Sequence, residues 1–445
     1  AGMFAAWLTN FYIKVIQINP LLWGLAWIAY FGWNAINDPL IGYFGDRTRT
    51  RFGRRIPWLM VATPLLSISM IVLFFPPILD PSLESSQLFY FFWLLIALLL
   101  YDTFYTIIGI LQNALVAELS ILPQERGKAG LFWASGTLTG QLITFILPFF
   151  LIVNQDPYSQ NLPIFQGLTI IFALIGVVSL AFMSFGIKEK KEFMYAKEDK
   201  LGFWESIKIT IVNKGFIYYT CFTFMLVFVH STVYSQVSFY VQDVLQISSQ
   251  NILSSLPILA FVISNFIGYP VGLLFNRKFG GKKAIIYLSI SVIIGLSILT
   301  FVSDFILSIL LLLFIGIGYA GVGLLAPILM ADVIDEDELN TGKRREGAYY
   351  GSTALFTKPS QSIAAAVTGL IFALTGYDQD ATTQSIVAQF GIKLNIGLIP
   401  ALILLLGILL LTKFPIDAST KRYQEMKKTL EELHDTKLEK LKSKL

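Results

Sequence analysis

Long apolar runs, separated by short polar or charged turns, fill most of the chain. They cover residues 1–18, 20–44, 57–76, 87–118, 128–153, 163–187, 215–242, 252–276, 283–302, 305–333, 346–375 and 389–413. Most are close to or above the roughly 20 residues a helix needs to cross a bilayer. In hydrocarbon the backbone must satisfy its own hydrogen bonds, so these runs predict an all-α integral membrane protein of about twelve transmembrane helices. The run at Ala1 is apolar from its first residue, which predicts a first helix incomplete at its N-terminus. Pro39, Pro270 and Pro359 fall inside runs, where neighbouring helices or a cavity must accept the backbone groups they free.

The turns alternate in charge. One set holds Arg47 to Arg55, Arg126 and Lys128, Lys188 to Lys214, Arg277 to Lys283, Lys343 to Arg345 and the tail from Lys421. The other set (77–86, 154–162, 243–251, 303–304 and 376–388) carries acids such as Asp80, Asp156 and Asp243, and no Lys or Arg. The positive-inside rule makes the first set cytoplasmic, together with both termini, in a cell (plasma) membrane. Composition agrees: 55% of residues are hydrophobic, 14% are charged, and mean hydropathy is +0.67. The net charge of +4 sits in the turns, facing a membrane surface, and does not point to nucleic acid. Cys221 is the single cysteine, which excludes an intramolecular disulfide. There is no GxxxxGK[ST] loop for ATP, no HExxH pair and no Ser-His-Asp set, so the chain does not read as an enzyme or a primary pump. No cofactor is expected. The tail 414–445 is rich in Lys and Glu and reads as a solvated helix or as one lying on the anionic leaflet.

The two halves echo each other. GYFGDRTRTRFGRR (42–55) follows the second run and GLLFNRKFGGKK (272–283) the eighth. NALVAELSILPQERGKAG (113–130) ends the fourth and LLAPILMADVIDEDELNTGKRREGA (324–348) the tenth. These pairs predict an N-terminal six-helix half (1–187), a cytoplasmic linker (188–214), a C-terminal six-helix half (215–413) and the tail. This resembles the architecture of the major facilitator superfamily. In that architecture the solute site lies near the midplane between two rocking halves.

Ionisable groups inside spans are costly and usually functional. Asn34, Asn37 and Asp38 share one helix face at i, i+3 and i+4, offering a carboxylate and two amides to a hard cation or a proton. Asp102, Thr106, Gly109 and Asn113 recur at helical spacing on the fourth span, as a polar stripe able to line a cavity. Lys358 sits mid-span in YYGSTALFTKPSQSIAAA with Gln361 close by, and needs a buried anion such as Asp38 or Asp102. His230, the one histidine within a span, reads either as a substrate-cavity residue that titrates near neutral pH, beside Asp102, Gly109, Asn113 and Gln361, or as a hydrogen-bonded core histidine. At the cytoplasmic ends, Asp46, Arg47, Arg54, Arg55, Glu118, Arg126, Asp332 and Arg345 read as a gate of exchangeable ion pairs.

Two of these segments carry a closer resemblance. WNAINDPLIGYFGDRTRTRFGRRIPWL (33–59) is similar to the signature of the glycoside–pentoside–hexuronide:cation symporters, and MADVIDEDELNTGKRREGAYYGSTALFTKPS (330–360) to that family's tenth and eleventh helices. The resemblance implies a monomeric secondary transporter coupled to H+ or Na+. Asp38 matches an acid of the cation site, Thr106 a ligand on the fourth helix and Lys358 the eleventh-helix lysine, with Na+ implied at Asp38 and Asn34. Asn34 and Gly109 stand where melibiose permeases have acids, Asn113 and Gly323 replace aromatics of the sugar site, and Ala134 replaces its arginine. The resemblance implies symport of a sugar, glycoside or related small organic solute as first reading. A lysolipid or other amphiphile on the same fold is the second, and an uncoupled uniporter the third.

Overall fold

A computed structural model describes residues 2–48, 50, 56–119, 136, 139–140, 143–144, 162–186, 203–247, 253, 256–341, 345–379, 381, 383–417, 420–421, 423–430 and 432. These residues are helical almost throughout. The helices are α1 (Gly2–Asn10), α2 (Pro20–Arg47), α3 (Ile56–Phe74), α4 (Glu84–Leu119), α5 (Leu162–Gly186), α6 (Phe203–Val212), α7 (Lys214–Phe239), α8 (Leu256–Phe279), α9 (Gly281–Leu299), α10 (Phe305–Thr341), α11 (Glu346–Thr357), α12 (Pro359–Thr375), α13 (Ile386–Lys393) and α14 (Ile399–Thr412). Every predicted span except that at 128–153, which lies almost wholly outside the described residues, coincides with one or more of them. Among the described residues, eight helical stretches are long and apolar enough to cross a membrane. Large apolar side chains stay exposed on them, Phe182 at 77% and Ile306 at 67%, as lipid-facing surfaces require.

Two details depart from the simple pattern. The predicted linker contains α6, whose buried Thr210 hydroxyl donates to Ser352 Oγ on α11 at 3.0 Å. Just beyond it, Asn213 Nδ2 donates to the Tyr349 hydroxyl at 3.2 Å. The span predicted at 346–375 is interrupted at Lys358. Pro359 has no N–H to continue the ladder, and Gln361 N reaches back only three residues, to Lys358 O, at 3.1 Å.

The chain divides into two compact units. One comprises residues 1–201, 230–259 and 358–396; the other comprises 202–229, 260–357 and 397–445. In the first, α2 packs on α4 and α12, and α3 on α4 and α5. Small residues allow the α2–α12 backbones to approach: a Cβ on Gly24 would meet Ala366 O at 3.2 Å, and one on Gly369 would collide with Pro20 O and the Gly24 backbone. In the second unit α9 packs on α10 and α14, and α6 on α11. There a Cβ on Gly272 would lie 2.9 Å from Gly321 Cα.

The first and seventh predicted spans end in the same unusual way. α1 continues into a π-helical turn at Phe11–Val15, and α7 into one at Tyr240–Val244. Ile16 N bonds to Phe11 O and Leu245 N to Tyr240 O, each at 3.0 Å. Each turn is followed closely by a glutamine at positive φ: Gln17 at 60° and Gln246 at 50°. The sequences beneath are KVIQI (14–18) and DVLQI (243–247), a repeat signal as informative as those in the basic turns.

Candidate functional site: a lysine-centred polar cluster

Two helices of the first unit place polar side chains around Lys358. The spacing on α2 puts Asn34 and Asn37 on one face, and that on α4 does the same for Asp102 and Thr106. Lys358 stands at the break between α11 and α12. Its Nζ donates to Thr106 Oγ1 at 2.7 Å and lies 3.9 Å from Asp102 Oδ1. Asn37 Nδ2 donates to the other oxygen, Asp102 Oδ2, at 2.8 Å. Asn34 Nδ2 donates to the Lys358 carbonyl at 3.1 Å. Asn34, Asn37, Asp102 and Thr106 are all buried, at 2%, 1%, 7% and 3% exposure.

The chemistry of this set is specific. A buried ammonium needs a nearby anion and hydrogen-bond acceptors, and Asp102 and Thr106 supply them. Asn34 and Asn37 both donate through nitrogen, and their amide oxygens are acceptors. Carboxylate, hydroxyl and amide oxygens suit a hard cation. Among the described residues no group of three or more His, Cys, Asp or Glu could hold a metal ion.

The remaining sequence-predicted residues fall as follows. Asp38 is in α2 next to Asn37, and its side chain lies outside the described residues, as do those of Asn113 and Glu118 on α4. Gly109 faces open space: a Cβ there would meet nothing within 4 Å. Gln361 is exposed, and its backbone N–H serves the Lys358 carbonyl. His230, at the start of the 230–259 segment, places its ring centroid 4.3 Å from that of Tyr234.

Of the predicted gate, Asp46 and Arg47 lie at the end of α2 with side chains outside the described residues, and Arg54, Arg55 and Arg126 lie wholly outside them. The structure pairs Asp332 with the C-terminal tail. Lys427 Nζ lies 2.8 Å from Asp332 Oδ1 and 2.7 Å from Asp335 Oδ2, and the Tyr423 hydroxyl donates to Asp332 Oδ1 at 3.0 Å. Burial opposes the charge on Lys427, yet its bonds to Asp332 and Asp335 outweigh this and raise its pKa above the usual lysine value. The described tail residues therefore dock on the end of α10, where a free helix or a membrane-surface one was expected. Arg345 faces Asp337 instead, Nε to Oδ2 at 3.9 Å.

Comparison with known proteins identifies the family of the chain. The model of the family described as MFS/sugar transport protein matches residues 2–418. The chain is 25% identical to the sodium-dependent lysophosphatidylcholine symporter 1 of Gallus gallus, over 95% of this chain and 84% of that protein. It is 24% identical to the sphingosine-1-phosphate transporter MFSD2B of Xenopus tropicalis, over 95% and 86%. Its fold superposes on the inward open conformation of the xylose transporter XylE from E. coli with a TM-score of 0.65 at 14% identity, covering 96% and 95% of the two chains. The helices are those of a major facilitator transporter, and the chain belongs to the MFS/sugar transport protein family.

Proposed function

We propose that this protein is a sodium-coupled secondary transporter of a lysophospholipid or a closely related amphiphile, working by alternating access in the cell membrane. The observation that carries the coupling is the Lys358 cluster. An ammonium held 2.7 Å from Thr106 and 3.9 Å from Asp102 occupies the position a cation would take among the same oxygens. Asp38, Asn34, Asn37 and Thr106 bind the ion, the Lys358 ammonium leaves Thr106 when it binds, and Asp102 stays the counter-charge of the ammonium. The substrate class is supported by similarity along nearly the whole chain to proteins named for lysophosphatidylcholine and sphingosine-1-phosphate. It is supported also by the residues Asn113, Gly323 and Ala134, which stand where the sugar-binding side chains of the resembling symporters would be. The first sequence reading, a sugar or glycoside, lacks that support. The loop charges support cytoplasmic ends for the chain, and a monomer is the state this reading assigns it.

Thermal melting of the detergent-purified protein tests both parts. Only a ligand that binds the folded state raises the midpoint. Lysophosphatidylcholine is expected to raise it, and to raise it further with sodium than with potassium, while xylose and melibiose leave it unchanged. A sodium-enhanced shift with a sugar and none with the lysolipid would overturn the substrate reading.

A further inference from the structure

A second buried ion pair lies apart from the Lys358 cluster. Lys14 and Asp243 occupy matching positions in the two π-helical turns, the first residues of KVIQI and DVLQI. Lys14 Nζ lies 2.7 Å from Asp243 Oδ2 and 2.8 Å from Oδ1, and donates to Gln242 Oε1 at 2.9 Å. The ammonium also sits 5.2 Å from the centroid of the Phe239 ring. The side chains are 6% and 13% exposed. The stretch after α12 joins them: the Tyr377 hydroxyl donates to Asp243 Oδ2 at 3.1 Å, and Gln379 Nε2 donates to the Ile18 carbonyl at 2.5 Å. Below the pair, Asn10 Nδ2 donates to Ser238 Oγ at 3.4 Å, both residues buried.

This arrangement joins the end of the first predicted span, the end of the seventh and the connection between the eleventh and twelfth at one point. All three lie in one compact unit and on the side whose loops carry no Lys or Arg. Two repeats that meet end to end put the same position of each side by side. Like charges there would repel, whereas Lys14 opposite Asp243 attracts while the ends touch. When the ends part, both groups recover their hydration, which offsets much of the lost pairing. A contact that is strong when closed and tolerable when open is suited to reversible closure.

We propose that Lys14, Asp243 and Tyr377 form a latch that closes the non-cytoplasmic end of the transport path and separates when that end opens. The inference rests on the alternating-access reading above. Its test needs no substrate, so it fails or stands independently of the lipid assignment. In a C221S background, which removes the only native cysteine, S238C places a thiol beneath the latch. The protein is reconstituted in nanodiscs and labelled with a maleimide. K14M and D243N each remove a contact made only in the closed state, so each is expected to raise the labelling rate about tenfold or more. Y377F raises it less, and the charge swap K14D/D243K returns it toward the parental rate. Monodisperse elution of each variant confirms folding. Labelling of Y377F, the single-charge variants and the swap at the parental rate would overturn the latch. Equally fast labelling of the swap and of the single-charge variants would overturn it too, by showing a packing defect in place of a charge contact.

Discussion

Replacing Lys358 by alanine is expected to abolish sodium-driven accumulation, lowering the initial rate at least about a hundredfold, while the purified protein still folds. The ammonium holds Thr106 at 2.7 Å and balances Asp102 at 3.9 Å. Without it a buried carboxylate loses its counter-charge, a change that costs about 3–5 kcal/mol where the anion stays ionised. K358R restores the charge but not the function, because a planar guanidinium does not reproduce a single short bond to the Thr106 hydroxyl. D102N in the K358A background relieves the stability loss but leaves transport dead. The check is uptake into proteoliposomes beside a melting curve for each variant. Uptake by K358A within about twofold of the parent, well under the 1.4 kcal/mol that a tenfold change represents, would remove Lys358 from the coupling mechanism.

The second large effect is steric. G369V is expected to lower stability by about 1–3 kcal/mol or more, because the α2–α12 interface admits no side chain there. An added Cβ would collide with Pro20 O and with the Gly24 backbone, neither of which yields as a flexible side chain does. The same helices carry Asn34 and the carbonyl of Lys358, so their separation also pulls apart the 3.1 Å bond between them. Reduced sodium response in the surviving folded fraction is therefore expected alongside the fall in melting temperature. G32A is the control on α2: nothing lies within 4 Å of its added methyl, and it leaves both properties unchanged.

Much of the cluster was legible in the sequence because the constraint is local. Asn34 and Asn37 share a face three residues apart, Asp102 and Thr106 four residues apart, and a lysine inside an apolar run demands an anion. The candidate partners were Asp38 and Asp102; the structure shows Asp102 near the ammonium, and Asn37 bonded to it. The break at Lys358 followed from Pro359, although the run of apolar residues hid it. What remained hidden was long-range. Nothing near Lys14 announces a partner 229 positions away; only the alignment of KVIQI with DVLQI relates them. The docking of Lys427 on Asp332 and Asp335 is of the same kind, since a Lys-rich amphipathic tail has the same composition whether it is solvated or bound. The proposed solute was the hardest to read. A cavity for an acyl chain is made of the same Phe, Leu and Ile that face lipid elsewhere, so composition does not separate it from the outer surface.

Uptake into proteoliposomes separates a sodium-coupled lysolipid transporter from a sugar symporter. A fluorescent lysophosphatidylcholine is presented outside, the fraction remaining on the surface is extracted with albumin, and the protected fraction is followed with and without an inward sodium gradient. Protein-dependent protection is expected to rise with the sodium gradient, to be lost in D38N and K358A, and not to be competed by xylose or melibiose. Sodium-driven accumulation of a sugar, with lysolipid protection no greater than in protein-free vesicles, would contradict it.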